Sequence, residues 1–330
     1  MKETVFLKRN VERWKQIEAM FAQESQIEPD LLAKLFIELT DDLSYSKTFY
    51  PKSKTTKYLN GLTSMIHLDI YKNKKEKSNR IIEFWKTELP LIMWQCRLQL
   101  LYAFLFFTVS VAIGSVSQYH DDSFVRAIIG DGYVNQTMEN IKNGDPFAVY
   151  GTTSELGMSL RITLNNIRVA ANTFIGGILA LIGTVYIIFF NGIMVGSFFT
   201  MFYQHGQIGE AILTVLIHGA IELSVIVIAG CAGFTLGNSI LFPQTLPRLK
   251  SFINGAKKGI KIFIGIVPLF ILAGFIEGFI TRHYLSLPQL LKGLMLFASM
   301  GFIIWYFVLY PFIVKRRVDD NAKKLMNIQL

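Results

Sequence analysis

The segment that decides the fold is residues 167–204, IRVAANTFIGGILALIGTVYIIFFNGIMVGSFFTMFYQ, whose 38 residues include a single charge, Arg168. As one α-helix it would be about 57 Å long, about twice the hydrocarbon thickness of a bilayer. The segment must therefore cross, turn and return. We predict the turn at Asn191 and Gly192, which leaves a short, partial or tilted second arm. A turn at Gly183 and Thr184 would divide the two arms more evenly.

The composition of the whole chain also indicates a membrane protein. Of the 330 residues, 52% are hydrophobic, and the mean hydropathy is +0.38, above the usual value for a soluble domain. The first residues are amphipathic and charged, which is not typical of a signal peptide. The two cysteines, Cys96 and Cys231, lie beside or inside apolar segments, so we expect neither a disulfide framework nor a cysteine-ligated metal.

Hydropathy divides the chain into an all-α, polytopic helical bundle of about six spans with an N-terminal module of amphipathic helices. Trp85 and Trp94 suit a helix that lies at the membrane interface at the end of this module. The basic run 72–80 is read as a solvated hinge, with anionic lipid headgroups as the alternative contact. The predicted parts are the cytoplasmic helical module with its interfacial helix at 1–96, the first span at 97–117, an extracytoplasmic loop at 118–166, a bundle of about five spans at 167–314 and a basic cytoplasmic tail at 315–330.

The distribution of charge predicts the orientation. Residues 117–166 contain six acidic and three basic residues, a net charge of −3, whereas residues 243–258 contain basic residues and no acidic ones. Lysine and arginine accumulate in cytoplasmic segments of membrane proteins. We therefore expect a multi-pass protein of the cell membrane with both termini in the cytoplasm. The net charge of +9 is explained in the same way, so we expect no nucleic-acid partner.

Several polar side chains interrupt the apolar spans. His218 and Glu222 are four residues apart and share one helix face. An ionised carboxylate at the centre of a membrane helix costs about 2.5–3.5 kcal/mol, so Glu222 and Glu277 should face the interior of the bundle, near Asn172, His218 or Arg168. Two roles stay open, a network that fixes helix register and a transport, proton or ligand site. The predicted intramembrane polar site comprises Asn165, Asn166, Arg168, Asn172, Asn191, His218, Glu222 and Glu277.

Glycines at helix-packing spacing form a second group. Two GxxxG patterns occur, and small residues at this spacing let membrane helices approach closely. We favour packing within the chain over a dimer interface, and a homo-oligomer is left open. The predicted packing glycines are Gly192, Gly196, Gly230, Gly233 and Gly237.

Enzymatic motifs are weak. The pair His218 and Glu222 lacks the second histidine of an HExxH zinc site, and no GxSxG, Walker A or dinucleotide-binding pattern has its supporting context. An intramembrane hydrolase is the remaining enzymatic alternative. We expect no enzyme, no cofactor and no metal.

Three runs resemble the stage II sporulation protein M family of bacterial and archaeal integral membrane proteins: NNIRVAANTFIGGILALIGTVYIIFFNGIMVG, LIHGAIELSVIVIAGCAGFTLG and ILAGFIEGFIT. The resemblance implies a role that is defined for the members from endospore formers. There the family member is one of three membrane-associated proteins needed for septal peptidoglycan degradation, and it holds the peptidoglycan-cleaving partner in place. The long N-terminal module departs from those members and resembles versions from non-sporulating bacteria. The matching positions are Asn165, Asn166, Asn172, Asn191, Gly192, His218, Gly219, Glu222, Gly230, Gly233, Gly237, Glu277 and Gly278.

The sequence thus favours an integral membrane scaffold that recruits or positions partners in cell-envelope processes. The alternative is a membrane transporter or channel that uses the intramembrane Asn, His and Glu side chains. The expected partners are the lipid bilayer and membrane or envelope proteins.

Overall fold

The computed structural model describes residues 2–22, 29–72, 80–148 and 154–328, so most of the predicted hinge at 72–80 lies outside the described residues. No β-strand occurs in these ranges, and helices dominate them, which confirms the all-α fold class. The chain forms two compact units, Met1–Ile81 and Ile82–Leu330. The first unit therefore ends before the predicted interfacial helix.

The first unit consists of three helices, α1 (Glu3–Ala22), α2 (Pro29–Phe49) and α3 (Lys54–Lys72). Apolar residues at helical spacing give each helix one buried face, and Trp14, Leu39 and Leu59 are fully buried where the faces meet. The indole nitrogen of Trp14 donates a hydrogen bond to Asp42 Oδ2 at 2.8 Å, and Arg13 pairs with the same carboxylate. The unit thus has its own core.

The second unit begins with short helices that pack on the long ones. Trp85 Nε1 donates to the carbonyl oxygen of Gly265 at 3.3 Å, and Tyr306 Oη donates to the carbonyl oxygen of Trp85 at 2.6 Å. Both contacts tie this region to later helices of the same unit. The elements are α4 (Arg80–Glu83), whose first two residues still belong to the first unit, a π-helical turn (Phe84–Glu88) and α5 (Leu89–Gln95).

Six long helical segments, two of which contain short π or 3₁₀ turns, make up most of the rest of this unit in the described residues. Five segments are long and apolar enough to cross a membrane, namely Arg97–His120, Ile182–Gln204, Ile208–Leu241, Arg248–Ser286 and Gln289–Asn321. The sixth long segment is Glu155–Ile175, which is more polar than these five. In chain order the elements are α6 (Arg97–His120), α7 (Phe124–Ile129), α8 (Asp131–Lys142), α9 (Glu155–Ile175), a 3₁₀ turn (Gly176–Leu179), α10 (Ile182–Gln204), α11 (Ile208–Leu241), α12 (Arg248–Phe275), a π turn (Ile276–Ile280), a 3₁₀ turn (Thr281–Ser286), α13 (Gln289–Ile304), a π turn (Trp305–Leu309) and α14 (Tyr310–Ile328).

Helix α9 has to run back through the bundle because α6 and α10, the long helices before and after it in the chain, run parallel. A Cβ atom added to Gly192 would lie 2.5 Å from the Cβ of Ser110, and one added to Gly196 would lie 2.1 Å from the carbonyl oxygen of Val111. The contacts thus advance in the same direction along both helices. Between two parallel crossings the chain must return once, and α9 is the long helix that lies between them. Six long helical segments therefore run through the bundle, and five of them in the described residues are apolar enough to span a membrane.

The turn between α9 and α10 is not where the sequence analysis placed it. Ala180 and Leu181 both have positive φ angles, 49° and 78°, and α10 then runs without a break through Asn191 and Gly192. The predicted turn at these two residues is therefore wrong, and the alternative near Gly183 is closer. Within this continuous helix the side-chain amide of Asn191 donates to the carbonyl oxygen of Ile187 at 2.8 Å, so its polar group has a partner in the preceding turn.

The segment between α6 and α9 contributes a small folded layer. Val125 in α7, Val134 in α8 and the following Phe147 are buried against Met201, Phe202, Ala211 and Tyr284 at the ends of the long helices. Phe147 stacks on Phe202 with ring centroids 5.1 Å apart. Since α9 already begins at Glu155, the part of the chain outside the long helices is shorter than the predicted loop 118–166.

Candidate functional site

Helix α11 is the central element of the site. It is the longest helix in the described part of the chain, with 34 residues, and it is more buried than the other four segments that are apolar enough to span a membrane. The face that carries His218 and Glu222 points toward α9 and the π turn after α12. Because the two residues are one helical turn apart, their side chains reach the same space.

The structure brings Glu277 to this pair. Its Oε1 atom lies 3.7 Å from Nε2 of His218. One ligand atom from each of His218, Glu222 and Glu277 can be chosen so that all three lie within 4.8 Å of one another. We call these three residues the polar triad. The triad joins α11 to the π turn. Helical spacing predicts that His218 and Glu222 lie close together, but it does not predict that Glu277 joins them.

Two further residues orient the triad. Thr281 Oγ1 lies 3.0 Å from Nδ1 of His218, and Asn166 Nδ2 donates to Glu222 Oε1 at 2.6 Å. Asn166 was among the predicted site residues, whereas Thr281 was missed. The available signal was its spacing, because Thr281 follows Glu277 by four residues.

The triad is enclosed by protein. Only 4% of the His218 side chain and 10% of the Glu277 side chain are exposed, whereas Glu222 is partly exposed. Two ionised carboxylates at this separation repel each other in a medium of low dielectric constant unless a proton or a cation compensates their charge. Chemically, the arrangement suits a shared proton or a bound cation.

Close helix packing delivers Glu277 to its position. A Cβ atom added to Gly274 would lie 2.1 Å from Thr163 Oγ1, and one added to Gly278 would lie 2.8 Å from the carbonyl oxygen of Glu155. The glycines that flank Glu277 thus allow the end of α12 to touch α9. Glu277 itself lies in the π turn Ile276–Ile280, and such turns occur frequently at functional sites.

The comparison with protein families covers this whole region. The family model for stage II sporulation protein M matches residues 103–282, more than half of the chain and all of the triad. The chain belongs to the stage II sporulation protein M family. The resemblance inferred from the sequence is thereby confirmed, as is the assignment to membrane proteins.

Outside this match, the N-terminal residues carry a separate module. A domain of unknown function (DUF8413) matches residues 4–72, which coincide with the three helices of the first unit. Among curated proteins and among solved structures, none matches the chain significantly. The family match therefore identifies the chain as a membrane protein of the stage II sporulation protein M family, and it assigns no role to individual side chains.

Other predicted site residues lie apart from the triad. Asn165, Arg168 and Asn172 are exposed on the outward face of α9, and the exposed Arg161 lies on the same face. The spacing of four, three and four residues keeps these four side chains in one stripe, which we call the α9 polar face. In the part of the chain that the structure describes, Arg168 has no hydrogen-bond or ion-pair partner.

The predicted packing glycines lie at contacts between helices of the same chain. Gly192 and Gly196 meet α6, as described above. Gly230 contacts Ile188 of α10, and Gly233 approaches Thr184 of the same helix. Gly237 faces Leu181 at the turn. At each of the five positions a Cβ atom would lie closer than 3 Å to an atom of another helix or turn of the same chain.

The opposite face of α11 lines an apolar groove of about 770 Å³ between α6 and α13. At one end of the groove, the guanidinium carbon of Arg97 lies 4.1 Å from the ring centroid of Trp94. The triad residues are not part of its lining, which includes Leu100, Leu101, Phe104, Leu216, Ala220, Leu223, Val227, Ile303, Phe307 and Pro311.

A buried lysine was missed by the sequence analysis. Lys292 lies in the first turn of α13, and its side chain is 3% exposed. Its ammonium group pairs with Glu210 at the start of α11. Its ammonium nitrogen also lies 5.2 Å from the ring centroid of Tyr284. In the sequence Lys292 looked like an ordinary residue at a helix end, since nothing local indicated a buried partner.

Proposed function

We propose that the protein is an integral membrane scaffold that recruits or positions a partner in the cell envelope, without enzymatic activity of its own. The observation that carries this proposal is the α9 polar face. A membrane helix that turns two arginines and two asparagines outward is stable only if another polar surface covers them. A partner membrane protein meets this requirement.

The energetics favour a protein partner at this face. Arg168 lies 13 residues from the start of α9 at Glu155, near the middle of the helix, where an arginine costs about 2.5–3.5 kcal/mol. Snorkelling toward headgroups is hardest from this depth. A transmembrane helix with carboxylate or amide side chains would complement both the charge and the hydrogen-bonding groups of the face.

The folded units outside the long helices support the same role. The three-helix unit has a core of its own, and the layer formed by α7, α8 and Phe147 is ordered by apolar contacts. Both offer protein surfaces that a bundle of spans alone would lack. In this proposal the protein lies in the cell membrane with its N-terminal unit in the cytoplasm, which the basic residues between α11 and α12 favour.

Site-specific photo-crosslinking in cells tests the scaffold proposal. A photoreactive amino acid at Asn165 or Asn172 should yield an adduct with one defined membrane or envelope protein. The matched control is Phe297, a residue of α13 that is 76% exposed and lies outside the α9 polar face. Arg168→Leu should abolish the adduct from Asn165 without lowering the amount of protein in the membrane, because the leucine removes the charge that attracts the partner.

Two results would contradict the proposal. One is an adduct pattern from Asn165 and Asn172 that equals the pattern from Phe297. The other is an adduct that persists in full when Arg168 is replaced by leucine.

The polar triad favours a second candidate function, a carrier or channel. Two carboxylates and a histidine inside a membrane bundle are the kind of groups that transporters use to bind protons or cations. In this alternative the triad serves a passenger, whereas in the scaffold proposal it stabilises the bundle.

A further inference from the structure

We propose that His218, Glu222 and Glu277 bind a divalent transition-metal cation of the Mn²⁺, Fe²⁺ or Zn²⁺ class within the bundle. This proposal reverses the expectation from the sequence, in which no metal was predicted because the HExxH pattern is incomplete. It is independent of the scaffold role, because the α9 polar face contributes no ligand.

The geometry of the triad fits a single ion. Nitrogen and oxygen ligands of such metals lie about 2.0–2.2 Å from the ion, so neighbouring ligand atoms are roughly 3–4.4 Å apart. Nε2 of His218 and Oε1 of Glu277 are 3.7 Å apart, and all three ligand atoms lie within 4.8 Å of one another. Small rotations of the two glutamate side chains would bring all three atoms into this range, and water would supply the remaining ligands of the ion.

The charge of the triad also calls for a cation. Neither Glu222 nor Glu277 pairs with a lysine or an arginine in the described part of the chain. Even a protonated His218 would leave the two carboxylates with a net charge of −1. A divalent cation with neutral imidazole and two carboxylates gives a net charge of zero, which is the least costly state inside a membrane protein.

The surrounding residues match the outer shell of a metal site. Ligating histidines usually donate their second ring N–H to an oxygen atom, which fixes the orientation of the ring. Thr281 Oγ1 occupies this position at Nδ1 of His218 and leaves Nε2 on the side of Glu277. Asn166 holds Glu222 in the same manner through its amide.

A separate observation is the lack of a hydrogen-bond donor to the carboxylate of Glu277 in the described ranges. Its side chain is nine-tenths buried and is aimed at His218, yet it accepts no hydrogen bond from any residue in the described ranges. Buried carboxylates normally have several such partners. A cation between Glu277 and His218 would give the carboxylate of Glu277 a partner. The imidazole ligand favours a transition metal over Mg²⁺ or Ca²⁺.

Manganese binding to the full-length protein tests the proposal. The protein is purified in lipid nanodiscs, treated with a chelator and titrated with Mn²⁺ alone. We expect one ion per chain, a nitrogen coupling to the bound Mn²⁺ in pulsed electron paramagnetic resonance, and competition by Zn²⁺ but not by Mg²⁺. Glu277→Gln and Glu222→Gln should abolish stoichiometric binding, and His218→Gln should remove the nitrogen coupling.

Two further variants serve as controls. Thr281→Val keeps all three ligands and should weaken binding by roughly 10- to 100-fold. Glu88→Gln changes a carboxylate that pairs with Lys261, away from the triad, and should bind like the wild type.

Wild-type protein that binds no stoichiometric Mn²⁺ or Zn²⁺, or binds Mn²⁺ without the nitrogen coupling, would overturn the proposal whatever the variants do. Binding that is unchanged in folded Glu277→Gln would overturn it as well. Failure of the crosslinking experiment at α9 would leave the metal site unaffected, and the reverse also holds.

Discussion

At the scale of single residues, the triad shows how much a helical spacing can reveal. His218 and Glu222 are four residues apart, and one helical turn brings their side chains together wherever the helix is placed. Glu277 joins them only through the packing of two helices. Its proximity to His218 was one of several arrangements that the sequence allowed.

Flux measurements with Glu277→Gln separate the two candidate functions. In the carrier alternative, wild-type protein in proteoliposomes moves protons or cations, and Glu277→Gln abolishes the movement because the ionisable group is lost. In the scaffold proposal there is no flux, and a correctly folded variant keeps its crosslinked partner. The matched control is Glu88→Gln. Flux that is present in the wild type and lost in folded Glu277→Gln, together with the absence of a crosslinked partner, would reject the scaffold.

Lys292 illustrates the limits of residue-level prediction. A lysine at a helix end is ordinarily solvated, and its long side chain can reach water. Here the carboxylate of Glu210 and the ring of Tyr284 surround its ammonium group. These partners come from other helices, so the burial of Lys292 cannot be read from its neighbours in sequence.

At the scale of elements, the hairpin of α9 and α10 corrects the sequence analysis. An asparagine followed by glycine is a strong local turn signal, but Asn191 and Gly192 lie inside a continuous helix. Packing overrides the local turn signal, because Gly192 permits close contact with α6, and the amide of Asn191 finds a partner in its own preceding turn. The turn falls instead at Ala180 and Leu181, where local turn signals are weak.

Packing of α10 on α6 should depend on Gly192. A valine there would force atoms against Ser110 and the backbone of Phe107, and such overpacking costs about 1–3 kcal/mol. We expect Gly192→Val to lower the midpoint of thermal unfolding in detergent. Gly301→Val is the matched control because a Cβ atom added to Gly301 meets no other atom within 4 Å. Equal midpoints for the two variants would show that this contact does not stabilise the bundle.

At the scale of the whole molecule, the parallel contact of α6 and α10 determines the number of crossings. Within the described residues, five segments meet the length and hydropathy expected of a span, and α9 is too polar to be recognised in this way. The parallel direction of α6 and α10 nevertheless requires α9 to run back through the bundle. In the scaffold proposal, α9 is a membrane helix with exposed polar side chains. The α9 polar face therefore indicates a partner that covers these side chains.

Reporter fusions test the resulting topology. An alkaline phosphatase, which is active only outside the cytoplasm, should be inactive after residue 330 and active when inserted at Gly144, in the loop that precedes α9. The physical reason is the basic charge on the side that carries residues 243–258. The opposite pattern of activities would reverse the orientation of the bundle.

The sequence by itself determined the class of the protein, because long apolar segments can be stable only as membrane helices. It also determined the amphipathic N-terminal helices, the one-turn pair in α11 and the family. Only the tertiary structure decided where the chain turns between α9 and α10, and that Asn166 belongs with Glu222 while Asn165, Arg168 and Asn172 face outward. Neighbouring residues of one helix point in different directions, and which direction is the interior depends on how the other helices pack.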